Sequence, residues 1–140
     1  MIYVLDASFV AGLIIPDEKN LIVGKMFDKI ENDDERYVPQ LFWYEITNIF
    51  RNLIRRKRFT AEEVMEFYPL LAVICLNHDF ETGIEYSRKI LRLCNDYNIT
   101  SYDAAYLELA ERKNAVFCTL DENLSTVAEK HNIAVIHNIH

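Results

Sequence analysis

The chain has 140 residues, 51% of them hydrophobic and 26% charged, which suits one packed core and excludes the disordered and fibrous classes. Its formal charge of -7, from 15 basic against 22 acidic residues, excludes a polyanion binder that works by net charge alone, because nonspecific nucleic-acid affinity comes mainly from phosphate neutralisation. With no basic leader ahead of an apolar stretch and no run of about 18 apolar residues, the chain is expected to be neither exported nor embedded in a membrane.

In chain order, Ile2–Leu5 is a short apolar run closed by Asp6 and followed by a helical pattern, which predicts a buried strand feeding a helix. A helix over roughly 18–31 comes next, then a short strand at 36–38 stopped by Pro39. Helical patterns follow at roughly 40–57, 60–74, 81–97 and 101–113, with a weak strand signal at 73–76. The apolar runs at 115–118 and 133–136 flank a polar helical stretch at 121–131, so the C-terminal part reads β-α-β and its strands pair in parallel. No linker, low-complexity tract or repeat interrupts residues 1–140, which are read as one domain. Strand alternating with helix predicts an α/β fold, a three-layer α/β/α sandwich around a central parallel sheet. Such sheets bind ligands beyond the carboxyl ends of their strands.

Cys75, Cys94 and Cys118 are odd in number and lack C-x-x-C spacing, so reduced thiols in a cytoplasmic setting are expected. His78, His131, His137 and His140 show none of the pairing that zinc needs.

The acids are the informative residues. Asp6 follows the first strand directly, Asp121 follows the 115–118 strand after Thr119 and Leu120, and Asp103 lies in the first turn of a helix opened near Thr100. All three face the same sheet edge by this placement. Glu45 sits in a helix whose apolar stripe is Phe42, Ile46, Ile49, Phe50 and Leu53. At about 100 degrees per residue it falls roughly 90 degrees from the stripe's centre, in a polar row with Asn48, Asn52 and Arg56. Each acid also has a local explanation: Asp6 and Asp121 as helix caps, Thr100-x-x-Asp103 and Thr119-x-x-Glu122 as capping boxes, Glu45 as helix surface. Convergence of the set would be different. At an effective dielectric near 20, two unit charges about 4 Å apart repel by roughly 4 kcal/mol, so such a cluster requires raised pKa values or a divalent cation. Oxygen donors select a hard ion, Mg2+ or Mn2+, which can orient water and stabilise charge on a phosphate.

Two basic blocks stand against the net charge: Arg51, Arg55, Arg56, Lys57 and Arg58, and Arg88, Lys89 and Arg92. They read equally as solvated helix surface or as a partner-binding surface.

Taken together, Val4-Leu5-Asp6-Ala7-Ser8, Glu45 in a helix, the run Ser101-Tyr102-Asp103-Ala104-Ala105-Tyr106, and Cys118-Thr119-Leu120-Asp121 resemble the PIN-domain family over essentially the whole chain, most of all the small VapC-type toxins. The resemblance implies a metal-dependent endoribonuclease, either a toxin held inactive by a cognate antitoxin or an RNA-processing PIN nuclease outside such a pair, and it is compatible with a homodimer. Asp6, Glu45, Asp103 and Asp121 match the acidic quartet that carries catalysis and holds Mg2+ or Mn2+, and Ser8 and Thr119 match the hydroxyl residues beside it. The implied reaction is hydrolysis of an RNA phosphodiester to a 5′-phosphate and a 3′-hydroxyl. Arg51, Arg55 and Arg56 are candidates for binding either the RNA backbone or an acidic segment of the inhibitor. Phe42, Tyr44 and Tyr68 read as core or as a dimer or inhibitor surface.

Two rival functions share parts of this pattern. An aspartyl-phosphate enzyme would use Asp6 as nucleophile, but Asp6-Ala7-Ser8 lacks the second aspartate of a D-x-D motif. A nonenzymatic RNA-binding or protein-interaction module would not need all four acids.

Overall fold

The computed structural model describes residues 1–17 and 19–137, His137 by its backbone alone. Five strands, β1 (Ile2–Leu5), β2 (Glu35–Val38), β3 (Asn77–His78), β4 (Val116–Thr119) and β5 (Val135–His137), form one sheet in the order β3-β2-β1-β4-β5. Every neighbouring pair is parallel, with Tyr3 opposite both Arg36 and Val116. Successive side chains alternate between faces, as the pleat requires. Tyr3, Leu5 and Cys118 enter one core, and Val4, Phe117 and Ala115 enter the other. A parallel sheet covered on both sides needs apolar residues on both faces, which is why β1 and β4 carry no polar alternation.

The first core is covered by α1 (Ala7–Ile14), α2 (Asn20–Phe27), α3 (Phe42–Arg55), α4 (Ala61–Met65) and α5 (Tyr68–Ile74). The second is covered by α6 (Ile84–Tyr97), α7 (Ser101–Lys113) and α8 (Glu122–Lys130). The result is the expected three-layer α/β/α sandwich. The chain winds outward from β1 through β2 to β3, then crosses to β4 and winds the other way to β5. Order therefore reverses between β1 and β4, and ligands of such sheets bind at that switch point, beyond the strand ends. Among the described residues no helix is long and apolar enough to cross a membrane.

Several boundaries differ from expectation for identifiable reasons. The helix read at 60–74 is two helices, because Pro69 lacks an N–H and is tolerated only in a first turn, so α5 starts anew around it. A full capping box of Thr60 and Glu63 opens α4. The strand signal at 73–76 belongs to the end of α5. Its Leu71 and Ile74 are buried, Cys75 ends the helix in the left-handed region at φ 58, and pairing begins only at Asn77. The helix expected from 81 starts at Ile84, because its N-cap Gly83 has φ 104, a conformation that favours glycine. The helix expected over 18–31 is α2, and residue 18 lies outside the described set. Thr119-x-x-Glu122 is not a capping box: Thr119 ends β4, and Asp121 caps α8. All three cysteines are free, and Cys118 is buried. His78 stacks near Trp43, and His131 bonds Tyr97 and Glu111. The side chain of His137 and all of His140 lie outside the described residues.

Candidate active site

At the switch point lies a cleft of about 340 Å3 lined by Asp6, Ser8, Glu45, Asn48, Asp103, Tyr106 and Asp121, among others. The four sequence-selected acids thus come from four different elements and meet at one place. Asp6 arrives because β1 ends there, and its backbone N–H extends the pairing to Cys118 by a 3.1 Å bond. Asp121 is delivered by the short step after β4, Asp103 by the first turn of α7, and Glu45 by the edge of α3.

Asp6 is only 5% exposed, and its carboxylate is fully engaged. Oδ1 accepts from the Ser8 hydroxyl at 2.7 Å and from the Phe9 backbone N–H at 2.9 Å, and Oδ2 accepts from the Thr119 hydroxyl. The capping expected of Asp6 is real, and it is compatible with lining the cleft. Asp121 likewise caps, its Oδ1 accepting from Leu124 N–H at 2.9 Å. Ser8 and Thr119 were candidates for local helix-start bonding. Both make those local bonds, Ser8 donating to Asp6 and Thr119 accepting from the Asp121 N–H at 3.0 Å, and both also tie the two strands' loops together, Ser8 accepting from Leu120 N–H at 3.2 Å and Thr119 donating to Asp6. Gly12 stands behind this seam. A Cβ there would come within 2.9 Å of Leu120 and Val23 side chains, so glycine lets α1 lie close to the loop that presents Asp121.

Burial and mutual repulsion raise the pKa values of Asp6, Glu45 and Asp103. Burial pushes the Asp6 carboxyl up to about 6, against the lowering pull of its Thr119, Ser8 and Phe9 bonds, and Glu45 adds to the rise. Glu45 is raised by burial and then by Asp103, with the Tyr106 hydroxyl pulling the other way. Asp103 is raised by burial and then by Asp121, while Thr100 lowers it. Repulsion therefore links all four carboxyls in series.

No basic side chain is among the described residues that line the cleft. An all-oxygen donor set, with Asp6, Glu45 and Asp103 raised and no cation among the described lining residues, fits a hard divalent ion. Among the described residues no three acid, cysteine or histidine groups are close enough to enclose one ion between them.

The residues that do not reach the cleft are Arg51, Arg55 and Arg56, all exposed toward the far end of α3. At about 100 degrees per residue, Arg56 continues the helix edge that carries Glu45 and Asn52, whereas Arg55 lies roughly 80 degrees round from it. Phe42 belongs to the core, whereas Tyr44 is 76% and Tyr68 39% exposed. Tyr106 lines the cleft and was not picked out as a site residue. Its hydroxyl donates to Glu45 Oε1 at 2.7 Å. The available signal was its place one turn after Asp103, on the same helix face.

The family model of the PIN domain matches residues 3–130. The chain belongs to the PIN domain family. Within that family it is 30% identical over 129 residues to Ribonuclease VapC3 of Pyrobaculum aerophilum, covering 87% of this chain and 91% of that protein. Among solved structures, a protein from Pyrobaculum aerophilum superposes with a TM-score of 0.70 at 21% identity, over 97% of this PIN chain and 92% of the other. VapBC2 from Rickettsia felis, crystallised bound to a DNA fragment from their promoter, gives 0.69 at 12% identity over 98% of both chains. These two likenesses show the PIN fold, with its parallel five-stranded sheet.

Proposed function

We propose that this PIN protein, as a single domain over residues 1–140, is a divalent-metal-dependent endoribonuclease and the toxin of a toxin–antitoxin pair. The observation that carries the nuclease is the meeting of Asp6, Glu45, Asp103 and Asp121 in one cleft without a basic partner. The similar VapC3, named a ribonuclease, and VapBC2 support the substrate and the pairing. Asp6, Asp103 and Asp121, with Glu45, would hold Mg2+ or Mn2+. Bound there, the ion would supply Lewis-acid stabilisation of charge on a phosphate attacked by water. The chain's own contribution is rigidity and field. Three hydrogen bonds hold Asp6 in one rotamer, Thr119 holds Asp6 and the Asp121 backbone in register, and Asn48 supplies a neutral polar wall on the α3 side.

The test is cleavage of a panel of single-stranded and structured RNAs by purified protein with Mg2+, Mn2+ or EDTA. Cutting to 5′-phosphate ends that stops in EDTA and in Asp103→Asn is expected. Cutting that survives either treatment, or no cutting anywhere on the panel by folded wild type with Mn2+, would overturn the reading.

The edge of α3 supplies a second prediction. If Arg55 and Arg56 contact the RNA backbone, the double change to Glu weakens RNA binding, and the slope of log affinity against log salt becomes shallower by about 1.4 for two single-strand phosphate contacts. Fluorescence anisotropy across a salt series reads both effects. Unchanged RNA binding with loss of antitoxin binding would assign the block to the protein partner, and no change in either would remove it from the site.

A further inference from the structure

The Tyr106 hydroxyl holds a position that its core packing does not explain. Its side chain is 1% exposed and its ring packs near Phe117, with centroids 6.1 Å apart, as expected for a core aromatic between α7 and β4. A buried tyrosine hydroxyl needs a hydrogen-bond partner. This one donates to a carboxylate oxygen of Glu45, 61 residues away on another helix, at 2.7 Å. One hydroxyl therefore joins the helix that carries Asp103 to the helix that carries Glu45.

Glu45 has particular need of such a tie. Asp6 is fixed by Ser8, Phe9 and Thr119, Asp121 is fixed by its capping bond to Leu124, and Asp103 sits in a helix's first turn with its N–H bonded to Thr100 at 3.2 Å. Glu45 has the longest side chain of the four and the most rotamers to lose. It stands beside like charges that push it outward. A donor on one oxygen holds that carboxylate in the cleft and leaves the second oxygen to other partners.

We infer that Tyr106 is a positioning residue for Glu45: its hydroxyl, held by the buried ring on α7, aims the Glu45 carboxylate into the acidic cleft. The inference rests on the metal-nuclease reading of that cleft. Groups that orient a metal-holding side chain from behind are typically worth roughly ten- to hundredfold in metal affinity or activity.

Tyr106→Phe isolates the hydroxyl, because the ring still fills its place. The experiment is a double-mutant cycle of Tyr106→Phe and Glu45→Ala, read by Mn2+ titration calorimetry and by kcat and KM for RNA cleavage, with urea unfolding as the control for fold. In the Glu45 background, Tyr106→Phe is expected to weaken Mn2+ binding and lower kcat by roughly tenfold or more while KM stays near its wild-type value. In the Glu45→Ala background the same change should do almost nothing, since the group it acts through is gone. Equal losses in both backgrounds would make Tyr106 a purely structural residue, and no loss in either would mean that Glu45 merely satisfies a buried hydroxyl. Both results overturn the inference. The calorimetric cycle does not depend on cleavage: a wild type that binds Mn2+ but cuts no RNA sinks the nuclease reading and still decides the role of Tyr106. A wild type that binds no Mn2+ overturns both.

Discussion

Asp6→Asn is expected to abolish RNA cleavage and, in EDTA at pH 7.5, to make the protein more stable than the wild type. The activity loss should exceed about a hundredfold, because the change withdraws charge from the place where several kcal/mol of metal-derived stabilisation originates, and each 1.36 kcal/mol is about tenfold in rate. The stability gain follows from burial. Asp6 in the folded chain is pushed from the usual 3.8 to about 6. Below about pH 4 the carboxyl is neutral whether folded or unfolded and contributes nothing. Between about 4 and 6 the folded state keeps the proton that the unfolded state has lost, so rising pH favours unfolding. Above about 6 the full penalty is present, roughly 3 kcal/mol for about two pKa units. Asparagine removes the charge and keeps an acceptor for Ser8 and Phe9, so a net gain of about 1–3 kcal/mol remains after weaker bonding. Urea unfolding at pH 4 and pH 7.5, in EDTA and in Mn2+, checks each part. The variant's advantage should vanish at pH 4, and Mn2+ should raise the midpoint of the wild type alone. A variant destabilised at pH 7.5 in EDTA would mean that the hydrogen bonds of Asp6 outweigh its desolvation, and retained cleavage would remove Asp6 from the chemistry.

This trade of stability for a charged cleft explains why parts of the site could be read in the sequence and parts could not. Asp6, Asp103 and Asp121 stand at strand ends and a helix start, and apolar periodicity locates those without any tertiary information. Glu45 is marked more weakly, by its angle from the stripe of α3. Tyr106 is hidden, because a tyrosine in a nearly all-buried helix face reads as core and its decisive bond spans 61 residues. Ser8 and Thr119 were visible as residues but not in direction. A hydroxyl beside a helix start is equally suited to local bonds, and only the pairing of β1 with β4 turns both across the sheet. The sheet's switch point was likewise out of reach, since strand order depends on where crossovers land. The missed break in the 60–74 helix and the displaced β3 share another cause: short elements carry too few residues for periodicity to register, and single residues such as Pro69, Cys75 and Gly83 set their ends.

The same helix that supplies Asp103 carries a second charged centre with an opposite purpose, and Arg112→Ala should show it. Glu108 is only 4% exposed, yet its oxygens are met by Arg112 Nε at 2.8 Å and Nη2 at 2.9 Å. The other side of the guanidinium grips Asp79 at 3.0 and 2.6 Å, fastening α7 to the loop that follows β3. The flat five-donor fork of arginine suits two carboxylates at once, which a lysine could not match. Its loss leaves a buried, uncompensated Glu108, so a destabilisation of about 3–5 kcal/mol is expected. Adding Glu108→Gln should recover more than half of that, because the penalty lies in the stranded charge and not in the missing contact. Arg112 lies nine residues beyond Asp103 on α7, about 14 Å along its axis, so cleavage per folded molecule should stay within about twofold of wild type. Urea unfolding of the single and double variants, with activity corrected for folded fraction, decides the matter. A loss below about 1 kcal/mol would place the cluster with ordinary surface ion pairs. A loss that Glu108→Gln fails to relieve would trace it to packing of the arginine stem. The predicted pattern has a clear physical basis: in the α7 cluster the chain supplies its own cation and gains stability, whereas in the cleft it supplies none and loses stability, which leaves the cleft's carboxylates to an ion from solution.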